Sequence, residues 1–205
     1  MSSHRHNPEP RDAYLDAARA CILDVGWRRT TLTEVARRAG VSRMTIYRTW
    51  SDMPELLGDL MTREWGELVA STQPTLGYDA SSSAQAGGGP TPAQIADGVL
   101  GAVTVLRENE LFVRIVELDP ELILPYLLAR RGRSQELILG LLVAVIEAGQ
   151  ANGTVRTGNP AALARSVVLA AHGFVLSAHT MTDDDVSAEE LDGELHQLIE
   201  RALRP

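Results

Sequence analysis

The sequence contains one cysteine and no lysine, and it has no long uninterrupted apolar run. With Cys21 alone among 205 residues, the chain can form neither an internal disulfide nor a cysteine-based zinc site, as is typical of a reducing compartment. The longest apolar stretches, around 137–146 and 167–178, are interrupted by Gly140 and by His172, and fall short of the ~18 residues of a membrane span. The polar N-terminus resembles no signal or anchor. We therefore predict a soluble, cytoplasmic protein with no membrane partner.

The composition provides for a core and distributes charge unevenly. Apolar residues make up 44% and charged residues 22% of the chain, which excludes a wholly disordered chain or a collagen-like fibre. Residues 1–52 contain nine arginines and six acidic residues, whereas residues 53–205 contain ten arginines and 21 acidic residues. An acidic protein with a basic N-terminal part can still bind nucleic acid, because phosphate contacts require only a local cationic surface.

Helical periodicity extends over nearly the whole sequence, and no run has the period of a strand. The prediction is an all-α fold: an N-terminal helix-turn-helix DNA-binding domain and a C-terminal helical domain for ligand binding and dimerisation. Capping signals at Thr31, Ser42, Asp52, Asn159 and Ser187 mark helix starts. The predicted helices cover 11–25, 32–39, 43–50, 53–71, 93–107, 110–118, 120–131, 134–151, 160–181 and a last segment after Ser187.

A segment rich in glycine, serine, alanine and proline divides the chain. Residues 72–92 lack periodicity, and about 20 residues without structure are unusual inside one compact domain. We therefore predict a DNA-binding domain at 8–71, a flexible linker at 72–92 and a second domain at 93–205.

Residues 32–51 match the pattern of two short helices joined by a tight turn. Ala36 is small where the helices would cross, and Gly40 suits the positive φ of the turn. The exposed side of the second helix would fit a DNA major groove. Many helical proteins contain two capped helices that flank a glycine, so this pattern alone leaves DNA binding and a purely structural helix pair equally open.

The residues around this pattern resemble a known family over 11–57. The run Thr31-Leu-Thr-Glu-Val-Ala-Arg-Arg-Ala-Gly-Val-Ser-Arg-Met-Thr-Ile-Tyr-Arg-Thr-Trp50, preceded by Gly26-Trp27, is similar to the N-terminal domain of TetR-family regulators. The resemblance implies a double-stranded DNA operator as partner. The implied contacts with base edges come from Arg43, Met44 and Thr45, and the implied contacts with phosphates come from Tyr47, Arg48, Thr31 and Thr33.

Two positions depart from the family pattern. The family often has histidine where Thr49 stands and lysine where Met53 stands, and both of those residues are associated with phosphate contacts. Their loss predicts weaker DNA binding with a smaller salt dependence. Arg28 and Arg29 offer compensating contacts, although solvated surface arginines are the more common case.

The resemblance also implies a homodimer, since two half-sites about one helical turn apart require two recognition helices. Apolar stripes on the last two helices would suit a four-helix interface. The alternative is that these stripes close the core of the single chain. The predicted interface residues are Leu163, Val167, Ala170, Ala171, Phe174, Ala178, Leu191, Leu195 and Leu198.

The third implied partner is a largely apolar small-molecule effector. Its cavity would lie among the helices at 93–151, with polarity from Arg107, Arg114 or His172. Apolar residues at helical spacing more often belong to a core than to a ligand site. The predicted lining residues are Trp65, Val103, Leu106, Phe112, Val116, Tyr126, Leu142 and Phe174.

No cofactor, metal site or catalytic motif is predicted. His172 and His179 are seven residues apart, too far to share one metal without a third element, and Asp183 to Asp185 lack the spacing of a calcium loop. The predicted function is a dimeric, non-enzymatic regulator, a repressor that binds a palindromic operator and is released by the effector. The alternatives are a helical sensor or adaptor that has lost DNA binding, and an enzyme.

Overall fold

The computed structural model describes residues 10–72 and 89–205, with side chains from 67 to 72 left out, and this part contains helices and turns but no strand. The predicted all-α fold is confirmed. The chain forms two compact units. Unit 1 consists of Met1–Glu64 and Asn109–Arg133, and unit 2 consists of Trp65–Glu108 and Ser134–Pro205.

The described residues form ten α-helices and three short 3₁₀ turns. The turns are Trp27–Arg29, Pro120–Leu122 and Ala178–Thr180. The helices are α1 (Pro10–Val25), α2 (Leu32–Arg38), α3 (Arg43–Thr49), α4 (Met53–Thr72), α5 (Pro92–Glu108), α6 (Glu110–Leu118), α7 (Leu124–Leu128), α8 (Arg133–Ala151), α9 (Pro160–Ser177) and α10 (Ala188–Leu203).

The helix starts follow the capping signals of the sequence. The side chains of Thr31, Ser42 and Asn159 accept hydrogen bonds from backbone N–H groups in the first turns of α2, α3 and α9. Ser187 and Glu190 form a full capping box at α10. Because these bonds satisfy amides that have no partner inside the helix, the local sequence alone determines where these helices begin.

The predicted helix at 120–131 is wrong in extent. The chain forms a 3₁₀ turn and then only the five residues of α7. Pro125 explains the break, because a proline has no N–H to donate and its ring clashes with the carbonyl four residues earlier. The backbone N–H groups of Ala129 and Arg130 both bond to the Pro125 carbonyl, which closes α7.

The division into units differs from the predicted domains, which followed chain order. Residues 109–133 belong to unit 1, where Leu111 and Ile115 of α6 are fully buried with residues of α1 to α4. Arg114 Nε donates to the Ile22 carbonyl oxygen at 3.3 Å. Of the predicted linker at 72–92, residues 73–88 lie outside the described part of the chain.

Unit 2 is built mainly on α5 and α8 and on the C-terminal helices α9 and α10. Its core combines one face each of α5, α8, α9 and α10, including Ile95, Val145, Ala164 and Leu195, all fully buried. Arg107 of α5 pairs with Asp192 of α10. These contacts are long-range in sequence, so apolar periodicity predicts the faces but not their partners.

Two glycines of α8 differ in how closely neighbouring atoms pack against them, which allows the packing of unit 2 to be tested. A Cβ on Gly149 would lie 2.5 Å from Val155 Cγ2 and 3.0 Å from the Pro90 carbonyl oxygen, whereas a Cβ on Gly140 would meet nothing within 4 Å. We expect Gly149→Ala to lower the free energy of unfolding by about 1–3 kcal/mol through overpacking. Gly140→Ala, the matched control, should raise it by up to about 1 kcal/mol through helix propensity. Urea unfolding measures both, and changes of the same sign would contradict the close packing.

By length and composition alone, α8 and the segment Pro160–Thr180 could cross a membrane. Their mean hydropathies are 1.2 and 1.5. The prediction that no apolar run is long enough was therefore too strict. Gly140 and His172 interrupt the apolar runs, but the mean hydropathy of each helix stays as high as that of a membrane span. Core helices of globular proteins satisfy the same criterion, and α8 and α9 both contribute buried side chains to unit 2.

Candidate nucleic-acid interface

The two helices α2 and α3 form the predicted helix-turn-helix inside unit 1. Gly40 has φ +69°, a conformation that side-chain-bearing residues rarely adopt, and the Val41 N–H bonds to the Ala36 carbonyl oxygen at 3.0 Å. Ala36 is 1% exposed and Val35 and Ile46 are fully buried. The turn and the small residue therefore hold the two helices closely together.

The recognition helix α3 exposes large apolar and cationic side chains to solvent. Met44 is 70% exposed and Tyr47 is 50% exposed, although both are large and partly apolar. Arg43 and Arg48 are exposed as well, while Thr45 is half-buried. Exposed apolar and cationic side chains together match the needs of a major-groove surface, where they meet thymine methyls, guanine edges and phosphates.

Thr45 differs from the other predicted base contacts. Its hydroxyl is 2.9 Å from Ser42 Oγ, and Ser42 Oγ also accepts the Thr45 backbone N–H at 3.1 Å. The Thr45 hydroxyl is therefore hydrogen-bonded to Ser42, the side chain that caps α3.

The N-terminus of α2 presents the two predicted phosphate-binding threonines. Thr31 is exposed and Thr33 is half-buried. Thr31 Oγ1 accepts the Glu34 N–H at 3.2 Å, but the Glu34 carboxylate pairs with Arg37 rather than completing the capping box. That ion pair holds the pKa of Glu34 below its ordinary value, mainly through the Arg37 hydrogen bond.

Internal pairing separates the arginines of the first 52 residues into two groups. The guanidinium groups of Arg43 and Arg48 have no hydrogen bond or ion pair with any described residue. Each other described arginine in this stretch contacts a carboxylate or a backbone carbonyl. Those contacts are Arg11 with Asp59, Arg19 with Glu64 and Glu110, Arg28 with Asp119 and Glu121, Arg29 with the Val25 carbonyl, Arg37 with Glu34, and Arg38 with Asp24.

The pairing of Arg28 argues against its predicted role as a compensating phosphate contact. Arg28 Nη2 lies 2.7 Å from Glu121 Oε1, and its Nε lies 3.4 Å from the buried carboxylate of Asp119. The Trp27 N–H also donates to Asp119, at 3.4 Å. Arg28 therefore anchors residues 119–121 inside unit 1. Sequence reasoning missed this because the partners are more than 90 positions apart.

An open groove of about 430 Å³ lies between the start of α1 and the recognition helix. It contains the unpaired guanidinium of Arg48 and the side chain of Thr49. Sequence reasoning did not predict it, because α1 and α3 contribute to it from separate parts of the chain. The lining residues are Pro10, Arg11, Tyr14, Thr45, Arg48 and Thr49.

A buried network fixes one wall of this groove. Asp59 Oδ2 accepts hydrogen bonds from Arg11 Nη2 and, at 2.6 Å, from Trp50 Nε1, while Asp59 Oδ1 accepts from Arg133 at 3.1 Å. Burial raises the pKa of Asp59, but the hydrogen bonds from Trp50 and Arg11 and the charges of Arg11 and Arg133 outweigh it, so the pKa lies below its ordinary value. Asp59 therefore remains ionised at neutral pH.

The predicted effector-lining residues do not form one set. Trp65, Val103, Leu106, Leu142 and Phe174 belong to unit 2, whereas Phe112, Val116 and Tyr126 belong to unit 1. Val103 and Leu142 are 2% and 5% exposed and lie in the core of unit 2. Of the predicted polar groups, Arg107 pairs with Asp192, Arg114 bonds to a backbone carbonyl, and burial lowers the pKa of His172.

Most of the predicted dimer stripe packs against the core of unit 2. Leu163 and Val167 are 7% and 4% exposed, and Ala170, Ala171 and Phe174 pack against the same core. Leu195 is fully buried as well and Ala178 is 7% exposed, while Leu191 is half-buried. The helical period identified an apolar face, and the buried members of that face belong to the core of unit 2, as the alternative expected, while the interface itself stays a prediction. Of the predicted set, only Leu198 is exposed, at 56%.

A different face of α9 is open to solvent. Ala162, Ser166, Leu169 and Gly173 are all exposed and follow one another at intervals of four, three and four residues, which places them on one side of the helix. Leu169 is 70% exposed. Small residues around a large apolar one permit close approach of another helix. This set is called the α9 outer stripe below.

The other groups weighed in the sequence remain unremarkable. Among the described residues, no three histidine, cysteine or carboxylate side chains cluster as metal ligands. Cys21 is buried, and burial raises its pKa, so its thiol is a packing group.

Known proteins share both the sequence and the fold. Residues 15–60 match the sequence model of the tetR family of bacterial regulatory proteins. An uncharacterized HTH-type transcriptional regulator of Mycobacterium tuberculosis (strain CDC 1551) is 31% identical over 164 residues, covering 80% of this chain and 79% of the relative. FadR from Bacillus subtilis in complex with stearoyl-CoA has a TM-score of 0.64 at 16% identity, covering 94% and 99% of the two chains. The SmeT–triclosan complex has a TM-score of 0.62 at 21% identity, covering 96% and 92%.

The fold, the exposed recognition helix and these matches define a helix-turn-helix transcriptional regulator. Within that class, the chain belongs to the tetR family.

Proposed function

We propose that this regulator is a cytoplasmic repressor that binds a palindromic operator as a homodimer and is released from DNA by a largely apolar small molecule. The observation that carries the DNA-binding part is the state of the arginines in unit 1. Arg43 and Arg48 on α3 have no hydrogen bond or ion pair with any described residue, while the other described arginines of the first 52 residues each contact a carboxylate or a backbone carbonyl. Positive charge is therefore concentrated at the surface that would enter the major groove.

The residues of α3 have separate roles in this proposal. Arg43, at the first turn, pairs bidentately with a guanine edge, and Met44 packs on a thymine methyl. Tyr47 and Arg48 bond to phosphates on one side, and the N-terminus of α2 with Thr31 and Thr33 bonds to phosphates on the other. Thr45 contributes its methyl group, since its hydroxyl bonds to Ser42.

The α9 outer stripe supports the proposed dimer. Only 22% of the apolar window Pro160–Thr180 is buried in the single chain, although its mean hydropathy is 1.5. A second copy of the chain would cover Leu169 and, on the neighbouring helix α10, Leu198, which is also exposed. Two-fold symmetry then presents two α3 helices to half-sites about one helical turn apart.

The proposed effector rests on the fold and on two neighbours of that fold. The FadR structure is a complex with stearoyl-CoA and the SmeT structure a complex with triclosan, and both of these molecules have large apolar parts. We propose that an effector here binds among the apolar helices of unit 2, with Val103, Leu142 and Phe174 near it. Binding would favour a conformation in which the two α3 helices no longer match successive grooves.

Selection of bound sequences from a random duplex pool, repeated at two salt concentrations, tests the proposed function. The expected product is a palindrome whose half-sites are about one turn apart. Recovery of no common sequence at either salt concentration would contradict the proposal and favour a sensor or adaptor. Acyl-CoA and chlorinated phenol compounds can then be screened for release of the selected operator, with a polar sugar as the control.

A further inference from the structure

The groove between α1 and α3 is the strongest site that the proposed contacts leave unexplained. We propose that it holds a phosphate of the DNA backbone between Arg48 and Arg11, and that Asp59 and Trp50 position Arg11 for this contact. The proposal rests on the DNA-binding function proposed above. It adds Arg11 to the interface and gives Asp59 and Trp50 a positioning role.

The first support is the chemistry of the lining. Arg11 and Arg48 are two cations in one open groove of about 430 Å³, and Tyr14 adds a hydroxyl that can donate a hydrogen bond. The Thr49 hydroxyl donates to the Thr45 carbonyl oxygen at 3.1 Å, so the groove's cationic donors are the two arginines. None of the described residues that line the groove is a carboxylate. Such a lining suits an anion.

The second support is the charge that remains on Arg11. Asp59 is shared by two guanidinium groups, those of Arg11 and Arg133, so one positive charge stays uncompensated in this cluster. Only Nη2 of Arg11 bonds to Asp59, and Nε and Nη1 have no partner among the described residues. Arg11 is 53% exposed, whereas Asp59 is 10% exposed. The carboxylate is therefore sequestered and the cation accessible.

The third support is the rigidity of the Arg11 side chain. Its guanidinium carbon lies 5.7 Å from the centre of the Trp50 ring, while Asp59 holds its end. Trp50 is 1% exposed, meets Tyr14 edge to face at 6.4 Å and donates its indole N–H to Asp59. A side chain that is already ordered loses little entropy when it binds.

The placement of the groove identifies the anion as a DNA phosphate. Arg48 and Thr49 belong to the last turn of the recognition helix, so whatever binds beside them lies along the strand that α3 contacts. Arg11 reaches the same groove from α1 and adds a second cation beside Arg48.

The test compares the salt dependence of operator binding for Arg11→Gln, Arg11→Lys and Arg37→Gln. Arg37→Gln is the matched control, because it removes the same charge from an exposed arginine that lies outside the groove. We expect Arg11→Gln to lower operator affinity about tenfold and the slope of log K against log[salt] by about 1–2 for the two subunits of the dimer. Arg11→Lys should retain most of the slope, and base preference should stay unchanged in all three.

The outcomes distinguish this inference from the proposed function. Suppose that the wild-type chain binds its operator with a clear salt dependence. If Arg11→Gln then leaves the slope unchanged, or if Arg37→Gln lowers the slope equally, the proposed phosphate site is wrong, while the proposed DNA binding is retained. If the wild-type chain binds no operator, the proposed function fails and this inference fails with it. Circular dichroism melting of each variant ensures that loss of fold is not mistaken for loss of contact.

Discussion

Replacing Arg43 with alanine should abolish the preference of the regulator for one base pair in each half-site, at a cost of about 1–3 kcal/mol per half-site. The reason is structural. Arg43 is exposed at the first turn of α3, its guanidinium has no partner among the described residues, and a bidentate pair with guanine is the contact that this geometry favours. Selection of bound duplexes with the variant measures the loss of preference position by position.

Arg48→Ala is the matched control for this result. It removes an equally unpaired arginine from the same helix, but one at a position proposed to bind phosphate. Affinity should then fall uniformly across sequences, with the base preference retained. An unchanged preference in Arg43→Ala, or a changed preference in Arg48→Ala, would mean that the helix does not lie in the groove in the proposed orientation.

Replacing Leu169 with glutamate should convert the dimer to monomers. In a two-fold interface built on the α9 outer stripe, the substitution buries a carboxylate from each subunit near the other, at a cost of several kcal/mol per unpaired ion. The dissociation constant of the dimer should rise at least about 100-fold. Light scattering should then report the mass of a single chain, 22.2 kDa, and operator binding should weaken accordingly.

Leu128→Glu is the control for Leu169→Glu. Leu128 is 79% exposed on α7 in unit 1, so the same chemical change is made at a leucine that is at least as accessible but lies outside the stripe. This variant should remain dimeric. A dimer that survives Leu169→Glu would place the interface on another surface.

The sequence contained enough information to predict the local structure of the recognition element. Gly40, Ala36 and the caps at Thr31 and Ser42 act over a few residues, and each is found in the predicted conformation or contact. Helix starts and tight turns depend on neighbouring residues, so a single sequence specifies them.

The sequence could not show which surfaces remain free. The apolar face of α9 with Leu163 and Val167 was identified by its period, but period does not distinguish a face that meets its own chain from one that meets another. The sequence likewise does not show which charged side chains are paired within the chain. Arg28 and Arg43 carry the same charge in the sequence, yet Glu121, 93 residues from Arg28, pairs with Arg28 while no described residue pairs with Arg43.

Residues 109–133 illustrate the same limit for domain boundaries. The glycine-rich segment before residue 92 suggested one division along the chain, yet α6 packs Leu111 and Ile115 into the core of unit 1. The Asp119 carboxylate then accepts a hydrogen bond from the Trp27 backbone N–H and forms an ion pair with Arg28. Such long-range pairing depends on three-dimensional packing, which composition and periodicity do not encode.

In the proposed complex, a two-fold dimer places two α3 helices in successive major grooves. Hydroxyl-radical footprinting of the wild-type protein on its selected operator tests this arrangement most directly. We expect two protected regions related by the two-fold axis of the palindrome, with centres one helical turn or a multiple of a turn apart. A single asymmetric region, or protection that does not follow the palindrome, would contradict it.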